Sequence, residues 1–322
     1  MDSIAVTDAI VWLDSPRAPE RRIGGKGGSL ARLSGLGFPV PPGFVVAAEA
    51  YEAFAESHDL ATVTAPLAGL DPRTPMAAIR ELLAPVAERL EGASLDDGTR
   101  GAIAGAIAEL KERAGAHATF AVRSSSLNED SAGSSFAGLY ETYLNLHGED
   151  DILKAVLDCF RCLWQERAVH YRTFRGIEHA GEAMAVVVMQ VVRARSSGVA
   201  FTKNPMTGAT DEVLINASWG LGEAVVSGYV TPDSFIVGPG GEMLERAITE
   251  KHEQVVLTGH GTERAAVAPT HTAEPSLSDE EVHEVVETAH AIQREYGGPV
   301  DIEFAYDDFG TMFLLQARPI TT

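Results

Sequence analysis

The chain has 322 residues, 45% of them hydrophobic and 22% charged, which suits a globular protein large enough for two domains or two lobes. Its formal charge of −21 argues against non-specific nucleic-acid binding and against docking on an anionic membrane, since both need clustered cations. No run approaches the ~20 apolar residues that cross a bilayer, and Met1-Asp-Ser-Ile lacks the cationic start of a secretion signal, so a cytoplasmic location is expected.

In chain order, Ala9–Leu13 reads as a short strand. Ile23-Gly-Gly-Lys-Gly-Gly-Ser29 then enters a helical pattern of Leu30, Leu33 and Leu36, which Gly37 ends. Phe38-Pro-Val-Pro-Pro-Gly43 is a rigid extended connector, and Phe44–Ala47 a buried strand. Residues 48–115 are Ala-rich and helical, with breaks expected at Pro66, Pro72, Pro75 and Gly92. Phe120–Arg123 is a strand, Ser124–Ser135 a small-residue loop, Phe136–Leu146 a strand, and 150–175 one amphipathic helix. Ala185–Val192, Gly198–Thr202 and Glu212–Asn216 are further strands, and Trp219–Ser227 is a glycine turn opening a short helix. Residues 257–277 read as a loop, and Ser278-x-x-Glu281 as the capping box of a helix to about Tyr296. The order of strands and helices predicts an α+β fold, not alternating βαβ units.

The last elements are Val300–Tyr306 and Thr311–Arg318, two alternating runs about a turn. A turn centred between Asp308 and Phe309 places Val300, Ile302, Phe304 and Tyr306 with Phe313, Leu315 and Ala317 on a core face. Asp301, Glu303, Gln316 and Arg318 then share the other face. Two carboxylates, an amide and a guanidinium suit Mg²⁺ and the phosphates of a nucleotide, and suit equally an exposed sheet face laced by an Asp–Arg pair.

Three further constellations carry chemistry. Gly24-Gly-Lys26-Gly-Gly28 puts a cation among glycines at a helix mouth, which fits either a phosphate site or a tight turn; the Walker A and Rossmann spacings are absent. Arg123, at a strand end before the Ser/Gly loop, fits either a phosphate contact or a structural ion pair with Glu129 or Asp130. Gln190 and Val192 end a strand whose backbone could read an adenine edge, and Glu223 could aid a nucleotide or simply suit its helix dipole. Cys159 and Cys162 lie at helical spacing without a second ligand pair, which favours packing over metal.

Taken together, Gly24–Leu30, Gly37–Phe44, Ala121-Val-Arg-Ser-Ser-Ser126, Ser135-Phe-Ala-Gly-Leu-Tyr-Glu-Thr142, Ser197–Thr202, Gly220-Leu-Gly-Glu-Ala224 and Leu315-Gln-Ala-Arg-Pro-Ile320 resemble, in order, the nucleotide-binding part of phosphoenolpyruvate synthase, pyruvate phosphate dikinase and rifampin phosphotransferase. The resemblance implies an ATP-grasp fold, with lobes at 1–190 and 191–322 clamping Mg·ATP and a helical insertion at about 48–115. It implies that Lys26 and Arg123 contact phosphates, that a lid at about 124–138 closes through Ser134, Ser135 and Gly138, and that Gln190 and Val192 mark the adenine hinge. Glu223 would assist nucleotide binding. Glu303 and Gln316 would hold Mg²⁺ with Asp301 nearby, and Arg318 would act on the transferring phosphoryl group. The family usually shows Pro-Gln-Asp-Ile-Glu at the hairpin, where this chain has Pro299-Val-Asp-Ile-Glu303. Its Thr-Ser-His-type phosphohistidine motif and its acceptor-binding domain are absent from this sequence. Three functions follow as expectations: an ATP-dependent phosphotransferase domain or subunit acting on a histidine of a separate swivelling domain, a self-sufficient small-molecule kinase, or a nucleotide-binding regulatory module.

Overall fold

The computed structural model describes residues 9–18, 22–115, 117–128 and 140–320. The chain divides into two compact units, Met1–Ala31 with Pro42–Gln190, and Arg32–Pro41 with Val191–Thr322.

The first unit holds β1 (Ile10–Trp12), the start of α1 (Gly24–Gly35), β2 (Gly43–Val46), α2 (Ala48–Ser57), α3 (Leu60–Thr64), a 3-10 turn at Ala65–Gly69, α4 (Met76–Leu90) and α5 (Asp97–Ala114). It continues with β3 (Phe120–Ser126), β4 (Thr142–Leu146), α6 (Glu149–Cys162), α7 (Glu166–Arg175) and β5 (Met184–Gln190). The strands form an antiparallel sheet in the order β1-β2-β5-β3-β4. Alternation decides its faces: Phe120 and Val122 of β3 with Val186 and Val188 of β5 enter the helical core, beside Tyr51, Phe54 and Phe160. Pro75 does stand at the start of α4, but Pro85 sits inside that helix.

Two expectations change here. β3 runs on through Ser126, so Ser124–Ser126 belong to a strand and not to a loop. The single helix expected at 150–175 is two, because the chain breaks between Cys162 and Glu166. No Gly or Pro marks the break. The carbonyl of Leu163 instead accepts a bond from Nη2 of the wholly buried Arg172 at 2.8 Å, a tertiary partner that replaces its helical one. Cys159 and Cys162 are buried in the same core as free thiols. Burial pushes both thiols up, Cys162 to about 11, which leaves neither reactive at neutral pH.

The second unit holds β6 (Ala194–Phe201), β7 (Val213–Trp219), α8 (Glu223–Val226), β8 (Asp233–Val237), β9 (Met243–Ala247), β10 (Glu253–Leu257), β11 (Thr262–Ala266), α9 (Asp279–Tyr296), β12 (Val300–Asp307) and β13 (Met312–Pro319). Six strands form a sheet in the order β13-β12-β6-β7-β8-β9, and β10–β11 form a separate ribbon whose second strand falls where a loop was expected at 257–277. α9 lays Val282, Val285, Val286, Ala289 and Ile292 on one face of the large sheet. Its capping box is present: Ser278 Oγ accepts from Glu281 N at 3.2 Å, and Glu281 Oε2 from Ser278 N at 2.9 Å. The connector at 38–43 explains why Arg32–Pro41 belongs to this unit. The Pro39 carbonyl accepts from Leu314 N at 2.8 Å, and Leu33 joins the core under α9. The architecture is α+β. Among the described residues no helix is long and apolar enough to cross a membrane.

Candidate functional site

In the first unit, the glycine segment opens α1 directly, with Gly24 as its first residue. Gly24 has φ +70°, and a Cβ on it would stand 2.1 Å from the carbonyl oxygen of Ser125. No larger residue fits there. Ser125 is wholly buried; its Oγ donates to the Ile23 carbonyl at 2.8 Å and accepts from Gly27 N at 3.0 Å. Lys26 lies between those two bonds. Arg123 is two residues from Ser125 on β3, hence on the same face of the strand, opposite the core-facing Val122. Lys26 and Arg123 are both half-buried. Gln190 is the last residue of β5; its amide donates to the Pro42 carbonyl at 2.9 Å, and the division between the two units falls immediately after it. Ser134, Ser135 and Gly138 lie outside the described residues, as do Glu129 and Asp130.

In the second unit, the hairpin pairs Asp301 with Arg318 and Glu303 with Gln316, then shifts register so that Phe304 faces Leu314. The expected register was wrong by up to two residues. The turn accounts for one of these residues, and a β-bulge at Leu315, which gives β13 one residue more than β12, accounts for the other. The core face therefore takes Met312, Leu314 and Ala317, not Phe313 and Leu315, which are half-buried. The bulge also keeps Gln316 and Arg318 on the face of Asp301 and Glu303, as direct cross-strand partners share a side. Arg318 Nε donates to Asp301 at 2.8 and 2.7 Å, with the Asp301 side chain 15% exposed and that of Arg318 42%. That bond orients the guanidinium.

The same face continues across β6 and β7. Glu303 pairs with Val199 and that with Asn216, while Ala305 pairs with Ser197 and that with Ser218. Ser197 Oγ donates to the Gly220 carbonyl at 2.6 Å, which brings the Gly220–Glu223 turn onto this face. Gly220 has φ +78°, and a Cβ on it would stand 2.4 Å from the Val255 carbonyl oxygen, so the β10–β11 ribbon holds the turn from outside. Glu223 itself is exposed, and its Oε2 accepts from Thr262 Oγ1 of β11 at 3.3 Å. Val192 is buried just before β6. Ser125 and Asn216 escaped the sequence reading. Their signal was strand alternation from Arg123 and from the 212–216 run.

Residues 20–322 match the family described as pyruvate phosphate dikinase, AMP/ATP-binding domain. The chain belongs to this family. Members of the pyruvate phosphate dikinase AMP/ATP-binding family with curated descriptions include a probable phosphoenolpyruvate synthase of Pyrococcus horikoshii, 37% identical over 97% of this chain and 43% of the relative. A probable phosphoenolpyruvate synthase of Methanocaldococcus jannaschii is 39% identical, over 97% of this chain and 27% of its own. A rifampicin phosphotransferase of a Streptomyces species is 38% identical, over 93% and 34%. The chain thus spans less than half the length of these relatives. A solved D-alanyl-alanine synthetase A from Vibrio cholerae, 14% identical, aligns over 95% of this chain and 57% of that chain with a TM-score of 0.33, too low to carry weight for the fold.

Proposed function

We propose that the chain is the ATP-binding, phosphoryl-donating part of a dikinase-type phosphotransferase with an ATP-grasp fold. It would bind Mg·ATP and pass a phosphoryl or pyrophosphoryl group to a histidine on a separate domain. The observation that carries this reading is the bulged hairpin, which sets Asp301, Glu303, Gln316 and Arg318 on one face in a chain that matches an AMP/ATP-binding family almost end to end.

In this reading Lys26 and Arg123 bind phosphates, with Ser134, Ser135 and Gly138 in the segment that covers them. Gln190 and Val192 take the adenine, and Glu223 supports the nucleotide. The donor set fits magnesium. Glu303 and Gln316, direct partners in the register, offer one carboxylate and one amide oxygen, and Mg²⁺ is commonly held by one or two carboxylates plus substrate phosphates. Bound there, Mg²⁺ would neutralise charge on the phosphates. Asp301 aims Arg318, whose planar guanidinium matches the oxygens of a phosphoryl group in transfer. Phosphoryl transfer needs such positioning and charge neutralisation more than covalent help from side chains. The acceptor would come from sequence of the kind that fills the rest of the relatives' length.

Phosphorus NMR of the products tests the reading, with the chain incubated with Mg·ATP and a phosphohistidine-type partner domain. AMP formation is the expected result. ADP alone would point to a simple kinase, and no binding of Mg·ATP at millimolar concentration would overturn the proposal.

A further inference from the structure

We propose that Ser125 is a positioning residue for phosphate binding: its hydroxyl holds the glycine turn so that Lys26 and Arg123 act on the phosphates as one unit. The inference rests on the nucleotide-binding reading above and deepens it.

The segment Gly24–Gly28 has one side chain, that of Lys26, with which to fix its own shape. Glycine backbones lose the most freedom on ordering, so a loose segment would have to be ordered by the ligand at the expense of affinity. Nothing in the first turn of α1 supplies an acidic cap. The anchor comes from far along the chain. Ser125 uses its proton on Ile23 and a lone pair on Gly27, bonds that span 102 and 98 residues and bracket Lys26 on both sides. Its burial is complete, so water cannot replace either bond. The position of Gly24 against the Ser125 carbonyl closes the third side.

The neighbouring serines do something else. Ser124 Oγ donates to the Glu141 carbonyl at 3.1 Å, and Ser126 Oγ accepts from Asn128 N at 3.3 Å. Both lie on the face of Val122, away from Arg123. Of the three serines, Ser125 alone shares the side of Arg123 and reaches the turn that carries Lys26. Ser124 is therefore a matched control: buried, hydrogen-bonded, on the same strand and on the wrong face.

The test is calorimetric binding of Mg·ATP and of adenosine to the whole chain. Ser125→Ala should weaken Mg·ATP about ten-fold, as expected for losing a preorganising buried bond, and leave adenosine unchanged. Ser124→Ala should alter neither. In a Lys26→Ala background, Ser125→Ala should cost less than about two-fold further, because the group it positions is gone. Should Ser125→Ala fail to fold, Ser125→Cys, which keeps the bulk and weakens the bonds, carries the same comparison. Equal losses for ATP and adenosine, full additivity with Lys26→Ala, or undiminished ATP affinity would overturn the positioning role while leaving the nucleotide site standing. A wild-type chain that binds no Mg·ATP would remove both.

Discussion

The glycine turn of α1 and the closing hairpin are held by opposite means. The hairpin is local: its cross-strand pairs, Asp301–Arg318 and Glu303–Gln316, lie across a single turn, and alternation along each strand together with the bulge at Leu315 puts all four on one face. The glycine turn has almost no side chains of its own and takes its shape from Ser125, about a hundred residues away. A local element announces its chemistry in its own pattern. A long-range one carries its chemistry in one segment and its geometry in another, so each half looks ordinary alone. The hairpin still hid one thing. Its bulge shifts the register by a residue, and the apolar pattern of Met312–Leu315 fits two phases equally well.

The sharpest way to break the comparison is at the hairpin's chemical end. Arg318→Ala should lower Mg·ATP-dependent product release about 10³-fold while nucleotide binding persists, because a guanidinium on a transferring phosphoryl group acts mainly in the transition state. Unchanged turnover would remove its assigned role.

Register gives the next test. Deleting Ala317 should slip Arg318 toward the core face and abolish activity. Deleting Leu315 should remove only the bulge, preserve the Asp301–Arg318 pair and lower stability by about 1–2 kcal/mol for the half-buried side chain. Denaturant melts and activity of the two deletions should therefore diverge sharply. Equal behaviour would show that the bulge does not set the face.

At the glycine turn, Gly24→Ala meets both a left-handed backbone and the Ser125 carbonyl at 2.1 Å. A loss of at least about 2 kcal/mol in unfolding free energy, with a parallel loss of ATP affinity, is expected. If stability fell but affinity did not, turn geometry and phosphate binding would be separate matters.

The smallest effect probes the buried polar cluster at the α6–α7 break. His179 lies against Arg172 Nε at 3.3 Å and Thr173 Oγ1 at 3.1 Å, and burial, aided by the Arg172 charge, pushes its pKa down to about 4. The unfolded histidine titrates near 6.5, so between 6.5 and 4 the unfolded state binds more protons and stability falls as pH drops. From pH 7 to pH 5 the loss should be at most about 2 kcal/mol. In His179→Asn that part of the slope should flatten, which urea melts at the two pH values would read. An unchanged slope would place the acid sensitivity elsewhere.

Much of this molecule was legible in its sequence. The capping box of α9, the strand cores and the α+β order follow from propensity and alternation, which act over a few residues. The motif set pointed to the family before any coordinates. The misses have different causes. The ribbon at β10–β11 is short and β11 is mostly exposed, so Val255 and Leu257 of β10 make too brief an alternation to read. Ser124–Ser126 have loop composition, yet β5 on one side recruits them into a strand.

By itself, then, the sequence singled out the residues proposed to carry the chemistry: Lys26, Arg123, Glu303, Gln316 and Arg318 stand in patterns of period two or beside glycines, and those patterns are local. Only the tertiary structure decided how they are held. The α6–α7 break needs Arg172 on the Leu163 carbonyl, the turn at Gly24 needs Ser125, and the turn at Gly220 needs Val255. In each case a backbone group takes a partner outside its own element, nine residues away for Leu163 and far along the chain for the two glycine turns, and no local pattern encodes such a bond.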